Sequence, residues 1–132
     1  MTTWNWSKKA RSAIRAASRR AYGPVGQAIG AQKLGSRLVV VPPGKRAWQF
    51  HLHHANEEMF VILTGTGTLR YGEDRFPLRE GDVVAAPPGT GKAHQIVNDS
   101  DSELSYLAIS TMEERGYCRH QCSGVCDGLG RL

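Results

Sequence analysis

From Leu38 to Ser110 the chain is a train of short apolar runs, each cut off by glycine, proline, aspartate or asparagine. Leu38-Val39-Val40-Val41 stops at Pro42-Pro43-Gly44. Trp48 to His53 follows, then Glu58 to Leu63, and Gly65-Thr66-Gly67 breaks that run before Thr68-Leu69-Arg70-Tyr71 resumes. Gly72-Glu73-Asp74 is a hairpin-type turn into Arg75-Phe76-Pro77-Leu78. Glu80-Gly81-Asp82 leads to Val83-Val84-Ala85-Ala86, closed by Pro87-Pro88-Gly89. His94 opens Gln95-Ile96-Val97, Asn98-Asp99-Ser100-Asp101 turns again, and Leu104 to Ser110 is the last run. Regular short strands with this punctuation imply an all-β barrel or sandwich and argue against a parallel α/β sheet. A chain of 132 residues has room for one modest core.

Within this frame lies a set of residues with metal-ligand chemistry. His51 and His53 are two apart in a strand, so both imidazoles project from one face, while His54 points to the other. Glu58 follows a short polar break at the head of Met59-Phe60-Val61-Ile62-Leu63, and His94 opens a later strand. Three imidazoles and a carboxylate from separate strands converge only inside a curved sheet or barrel. That donor set suits a divalent transition metal such as zinc, manganese, iron, nickel or copper. Gln49 shares the parity of His51 and His53, and Phe60 and Ile62 share that of Glu58, so all three are candidates to line the cavity. For the aromatics, core filling is the simpler role. Met59, Val61 and Leu63 fall on the outer face.

These residues resemble the motifs of the cupins, in particular the small single-domain ones. The first cupin motif runs glycine, five residues, His-x-His, three or four residues, glutamate, six residues, glycine. Here His51-x-His53 is followed by four residues, then Glu58, then six, then Gly65; Gly44 stands one residue too far from His51. Glu57 is the rival carboxylate, but only Glu58 has the motif's spacing to Gly65. The second motif is carried by Gly81, Pro87, Gly89, His94 and Asn98, with four residues rather than two between Gly89 and His94. The resemblance covers roughly residues 35–112 and implies a double-stranded β-helix, or jelly-roll barrel, with His51, His53, Glu58 and His94 as metal ligands. It also implies a homodimer, because cupins commonly pair sheet to sheet.

The implied centre leaves about two coordination positions open in octahedral geometry. With iron, substrate and dioxygen can share them, giving dioxygenase or oxidase chemistry. With zinc or manganese the metal acts as a Lewis acid for isomerisation, decarboxylation or hydrolysis. Glu57 and Gln49 are the candidate catalytic or substrate-contacting residues; no dedicated general base stands out. The alternative is a non-catalytic module that binds a sugar, an organic acid or another small metabolite, since fold does not fix function.

Charge is unevenly spread. Every acidic residue lies at Glu57 or later, while residues 1–56 carry ten lysines and arginines. Lys8, Arg11, Arg15 and Arg19 make one stripe at helical spacing, so residues 7–22 read as a basic helix with a weak apolar face, ended by Gly23-Pro24. It would offer at most salt-sensitive, sequence-blind affinity for nucleic acid, and no reading motif accompanies it. The acid-free amphipathic start also meets the description of a transit peptide. No apolar stretch is long enough to span a membrane and there is no secretory h-region, so a cytoplasmic location is expected.

After Thr111-Met112 the strand pattern stops and Gly, Cys and basic residues take over. Cys118, Cys122 and Cys126 are evenly spaced with His120 between the first two, matching none of the usual paired-cysteine zinc spacings. An odd count is a poor disulfide framework, so reduced thiols on a tail are expected. Small cupins usually end without such cysteines, which raises the hypothesis of a shifted reading frame or an extension. Finding no cupin-like ending in any frame downstream of Met112 would defeat the frameshift idea. The expected layout is a basic helical extension over 1–23, a barrel over 24–112 and a Cys/Gly-rich tail over 113–132.

Overall fold

Phe60 and Ile62 are buried, while Met59 and Leu63, one residue out of phase with them, are exposed. A period of two is the mark of a strand with one face on a core. The computed structural model describes residues 22–113 and 119–120. Its elements, in chain order, are β1 (Tyr22–Pro24), α1 (Val25–Ala28), β2 (Leu34–Val41), β3 (His51–Leu52), β4 (Glu58–Thr64) and β5 (Thr66–Tyr71). They continue as β6 (Asp74–Arg79), β7 (Val83–Ala86), β8 (His94–Val97), β9 (Leu104–Thr111) and β10 (Arg119–His120).

The strands form two antiparallel sheets, ordered β1-β2-β9-β4-β7 and β10-β3-β8-β5-β6. From β2 onward every connection but the β5–β6 hairpin crosses from one sheet to the other. That winding makes the double-stranded β-helix expected from the sequence. Its corners are the glycine, proline and aspartate breaks. At Gly65, between β4 and β5, φ is +83°, and an added Cβ would run into the Glu103 carbonyl oxygen. Only glycine fits there without strain.

One core fills the space between the sheets. Val39, Val41, Phe60, Ile62, Leu104 and Tyr106 come from the first sheet, and Leu69, Leu78 and Ile96 meet them from the second. At roughly 25 cal/mol per Å² of apolar area removed from water, this layer is the main favourable term of folding. A smaller cluster on the outer face of the first sheet joins Val25 of α1 to Leu38 and Leu107. The motif residue Asn98, fully buried, pins the β8–β9 corner. Its Nδ2 donates to the Val41 and Ser102 carbonyls, and its Oδ1 accepts from the Ser100 amide and hydroxyl.

The run Trp48 to His53 keeps only His51–Leu52 as strand, because the Gln49 carbonyl is taken by the His51 side chain instead of a ladder partner. The basic helix expected over 7–22 lies outside the described residues except for Tyr22, which belongs to β1 and pairs with Val39. Beyond Met112, where the sequence signals no further strand, Arg119–His120 pairs with β3 at the edge of the second sheet. Cys118, Cys122 and Cys126 lie outside the described residues.

Candidate metal centre

The chain passes from the second sheet to the first between β3 and β4, and this crossing builds the site. His51 lies on β3 on one side of it, and Glu58 opens β4 on the other. His94 on β8 is the register partner of His51, so the two imidazoles stand side by side on one face of their sheet. Glu58 is paired with Ala86 and Ser110 in the facing sheet and reaches back toward them.

The four side chains meet at a single carboxylate oxygen. Glu58 Oε2 lies 3.6 Å from His51 Nε2, 3.3 Å from His53 Nε2 and 2.7 Å from His94 Nε2. Ligand atoms of His51, His53 and Glu58 all fall within 4.8 Å of one another, a group able to hold a metal ion. His51 and His94 have ring centroids 4.7 Å apart; His53 and His94 are the widest pair at 6.5 Å. His51 Nδ1 donates to the Gln49 carbonyl at 2.7 Å, which leaves Nε2 as the lone-pair nitrogen aimed at the centre.

Electrostatics follow from this crowding. Burial works to raise the Glu58 pKa, but contact with His51 and His94 and the charges of His94 and His53 outweigh it and hold the carboxyl well below its usual range. Burial likewise pulls the His51 pKa down, yet Glu58 and the Gln49 carbonyl prevail and raise it. Glu58 Oε2 and His94 Nε2 are shut off from solvent, and neither has a hydrogen-bond partner. Their 2.7 Å approach lacks hydrogen-bond geometry. Two buried polar atoms facing each other without hydrogen bonds carry a desolvation cost that a cation held between these side chains would offset. The residues therefore fit a divalent metal.

The other expected residues take lesser places. Glu57 is exposed, and its backbone rather than its carboxylate is engaged, bonding Thr111 twice. Gln49 serves the site through its carbonyl. His54 is exposed, and Phe60 and Ile62 are core residues, with the Phe60 ring 5.4 Å from that of His94. Tyr106 was not singled out by the sequence, where it is one more aromatic in a strand. It sits beneath the site against Phe60, with burial and then the Glu58 charge raising its pKa, and its hydroxyl bonds the Trp48 side chain. Strand parity with Leu104 was the only signal available.

Among known proteins, the chain resembles a candidate sugar phosphate isomerase of Acidithiobacillus ferrooxidans, with 37% identity and a TM-score of 0.64 over 68% of this chain and 57% of that one. A sugar phosphate isomerase from the cupin superfamily of Silicibacter pomeroyi is 28% identical, with a TM-score of 0.66 over 75% of this chain and 64% of that one. An oxalate-binding protein of Thermotoga maritima is 30% identical over 69 residues, 52% of this chain and 54% of that protein. The chain thus spans little more than half the length of several of the relatives it matches. The cupin domain family matches residues 37–110, more than half of the chain, and every strand from β4 to β8 lies inside that match. The chain belongs to the cupin family.

Proposed function

We propose that this protein is a metal-dependent cupin acting on a small polar metabolite, with His51, His53, Glu58 and His94 holding one divalent transition metal. The observation that carries this reading is the convergence of three imidazole Nε2 atoms on one buried carboxylate oxygen. A bound zinc, manganese, iron or nickel ion supplies Lewis acidity there, and iron adds redox chemistry. The chain's own part is to fix the ligands. Gln49 sets the His51 tautomer, and Phe60 and Tyr106 form an apolar floor that keeps water from below. The names of the relatives favour isomerase-type Lewis-acid chemistry on an anionic substrate over dioxygenase chemistry.

A second reading is supported by the resemblance to an oxalate-binding protein. In that case the same centre captures a small organic acid without turning it over, and Glu57, exposed and outside the cluster, has no catalytic part. Cupin pairing sheet to sheet fits the exposed Met59, Leu63 and Val83 on the outer face of the first sheet, so a homodimer goes with either reading. Among the described residues no helix is long and apolar enough to cross a membrane.

The test is elemental analysis of protein purified without chelator or nickel resin, beside the His51→Ala/His94→Ala double variant. Near-stoichiometric metal in the wild type, lost in the variant, is the expected result. No metal after reconstitution would sink the proposal. Turnover of a sugar phosphate or oxalate then separates the enzyme from the binding module.

A further inference from the structure

The outer face of the second sheet, away from the metal centre, carries three arginines with no acidic partner. Arg70 on β5 and Arg75 on β6 are register partners, so their side chains leave the same face directly opposite each other. Arg46 bridges to Val97 on the neighbouring β8, and its charge, like that of Arg75, reaches Arg70. Like charges placed directly across a strand pair destabilise a sheet. Among the described residues no salt bridge offsets this. Among the described residues the one arginine ion pair is between Arg79 and Asp82, and Asp99, beside this face, accepts a 2.6 Å hydrogen bond from Thr68.

Arg70 is nevertheless held in place. Its Nη1 donates to Gln95 Oε1 at 2.7 Å, and Gln95, buried, is itself anchored by donating Nε2 to the Trp48 carbonyl at 2.7 Å. The guanidinium lies over the Phe50 ring, 4.6 Å from its centroid. Stacking and one neutral hydrogen bond orient the fork and leave its other N–H groups without a protein acceptor among the described residues. A cation ordered by neutral groups, beside a second cation, is built to receive an oxyanion.

We propose that Arg70 and Arg75, with Arg46 at the rim, form a binding site for a dianionic oxyanion of the phosphate class on the outer face of the second sheet. Two opposed guanidinium forks can share one tetrahedral anion, each giving charge-assisted hydrogen bonds. Gln95 and Phe50 are positioning residues for Arg70. The site is independent of the metal centre, since His51 and His94 project from the opposite face of this sheet and Glu58 comes from the facing one.

The experiment is a titration of the full chain with inorganic phosphate at constant ionic strength, followed by calorimetry and by thermal stability. Chloride serves as the blank, and glucose 6-phosphate is run as a second arm. Saturable phosphate binding should raise the melting temperature of the wild type, and Arg70→Ala and Arg75→Ala should each weaken it by about tenfold or more. Arg75→Ala should also leave the phosphate-free protein no less stable, because it relieves the like-charge pair. Arg79→Ala, outside the site, should bind as the wild type does. Phosphate held at the metal centre would survive in Arg70→Ala, so it cannot mimic the result. Binding of glucose 6-phosphate as well identifies phosphate monoesters as the ligand class, and its exclusion identifies the free ion. Equal binding to wild type and Arg70→Ala, or no binding beyond the chloride blank, overturns the proposal.

Discussion

Glu58 Oε2 and His94 Nε2 face each other at 2.7 Å across the two sheets, both sealed from solvent and neither hydrogen-bonded. A cation held by Glu58 and His94 would tie β4 to β8. Metal should therefore act as a structural staple as well as a reactive centre. Free metal at about a hundred times its Kd should add about 2.7 kcal/mol to stability. Scanning calorimetry with and without chelator reads this directly. Glu58→Gln should abolish most of the gain, and an unchanged gain would remove Glu58 from the ligand set.

The metal-free protein should have an acid-shifted stability optimum. Glu58 has a lowered folded pKa, so its contribution is complete above the ordinary value of 4.5 and disappears as pH falls through the folded value. His51 has a raised folded pKa, so its contribution is complete below the ordinary 6.5 and lost as pH rises through the folded value. Both are present together between 4.5 and 6.5. Metal demands neutral imidazoles, so loading should move the optimum upward. Urea unfolding across pH, with and without metal, tests the displacement; coincident profiles would contradict it.

Tyr106 should stay protonated until the barrel opens. Burial first, and the Glu58 charge second, raise its pKa above the ordinary 10.0. The sign is that of a neutral acid: stability is intact below pH 10.0 and is lost as pH rises beyond it. Ultraviolet titration should show one tyrosine ionising together with alkaline unfolding, and Tyr106→Phe should remove that component. The same variant takes away the acceptor of the Trp48 side chain, at a cost of about 1–3 kcal/mol.

Asn98→Ala should be among the most damaging substitutions outside the core. It deletes four hydrogen bonds and strands the Val41 carbonyl. A loss of about 3 kcal/mol or more in denaturant unfolding is expected. Asn98→Asp should rescue little, since it keeps the acceptor but loses both donated bonds. Wild-type stability in either variant would show that the corner is held by other groups.

Gly65→Ala should cost about 2 kcal/mol or more, combining a positive φ with a Cβ that collides with the Glu103 carbonyl. Gly81→Ala has a positive φ of 88° but open space around the added carbon, so it should cost less. Equal losses would mean that backbone strain alone matters at both corners.

Much of the fold was legible because strands leave a short-range record. The turn punctuation located β4 to β9 to within about two residues, and parity along β4 separated buried Phe60 and Ile62 from exposed Met59 and Leu63. It failed before His51, where a side-chain hydrogen bond to the Gln49 carbonyl replaces ladder pairing. Such a bond depends on how the chain curls, and no periodicity encodes it. Gln49 shows the limit: parity speaks only of its side chain, and the hold of its backbone carbonyl on the His51 ring appears only in the structure.

The sequence by itself determined the types of the site residues, their spacing and the alternation that turns them inward, because these are properties of neighbours along a strand. Only the tertiary structure decided that His94 lies beside His51 and that Glu58 faces both from the other sheet. The same holds for Arg70, which meets Arg75 across a tight hairpin but reaches Gln95 and Phe50 only through strand order. Register and sheet packing are set by the summed burial of the whole core, so contacts between distant segments appear only once that core has closed.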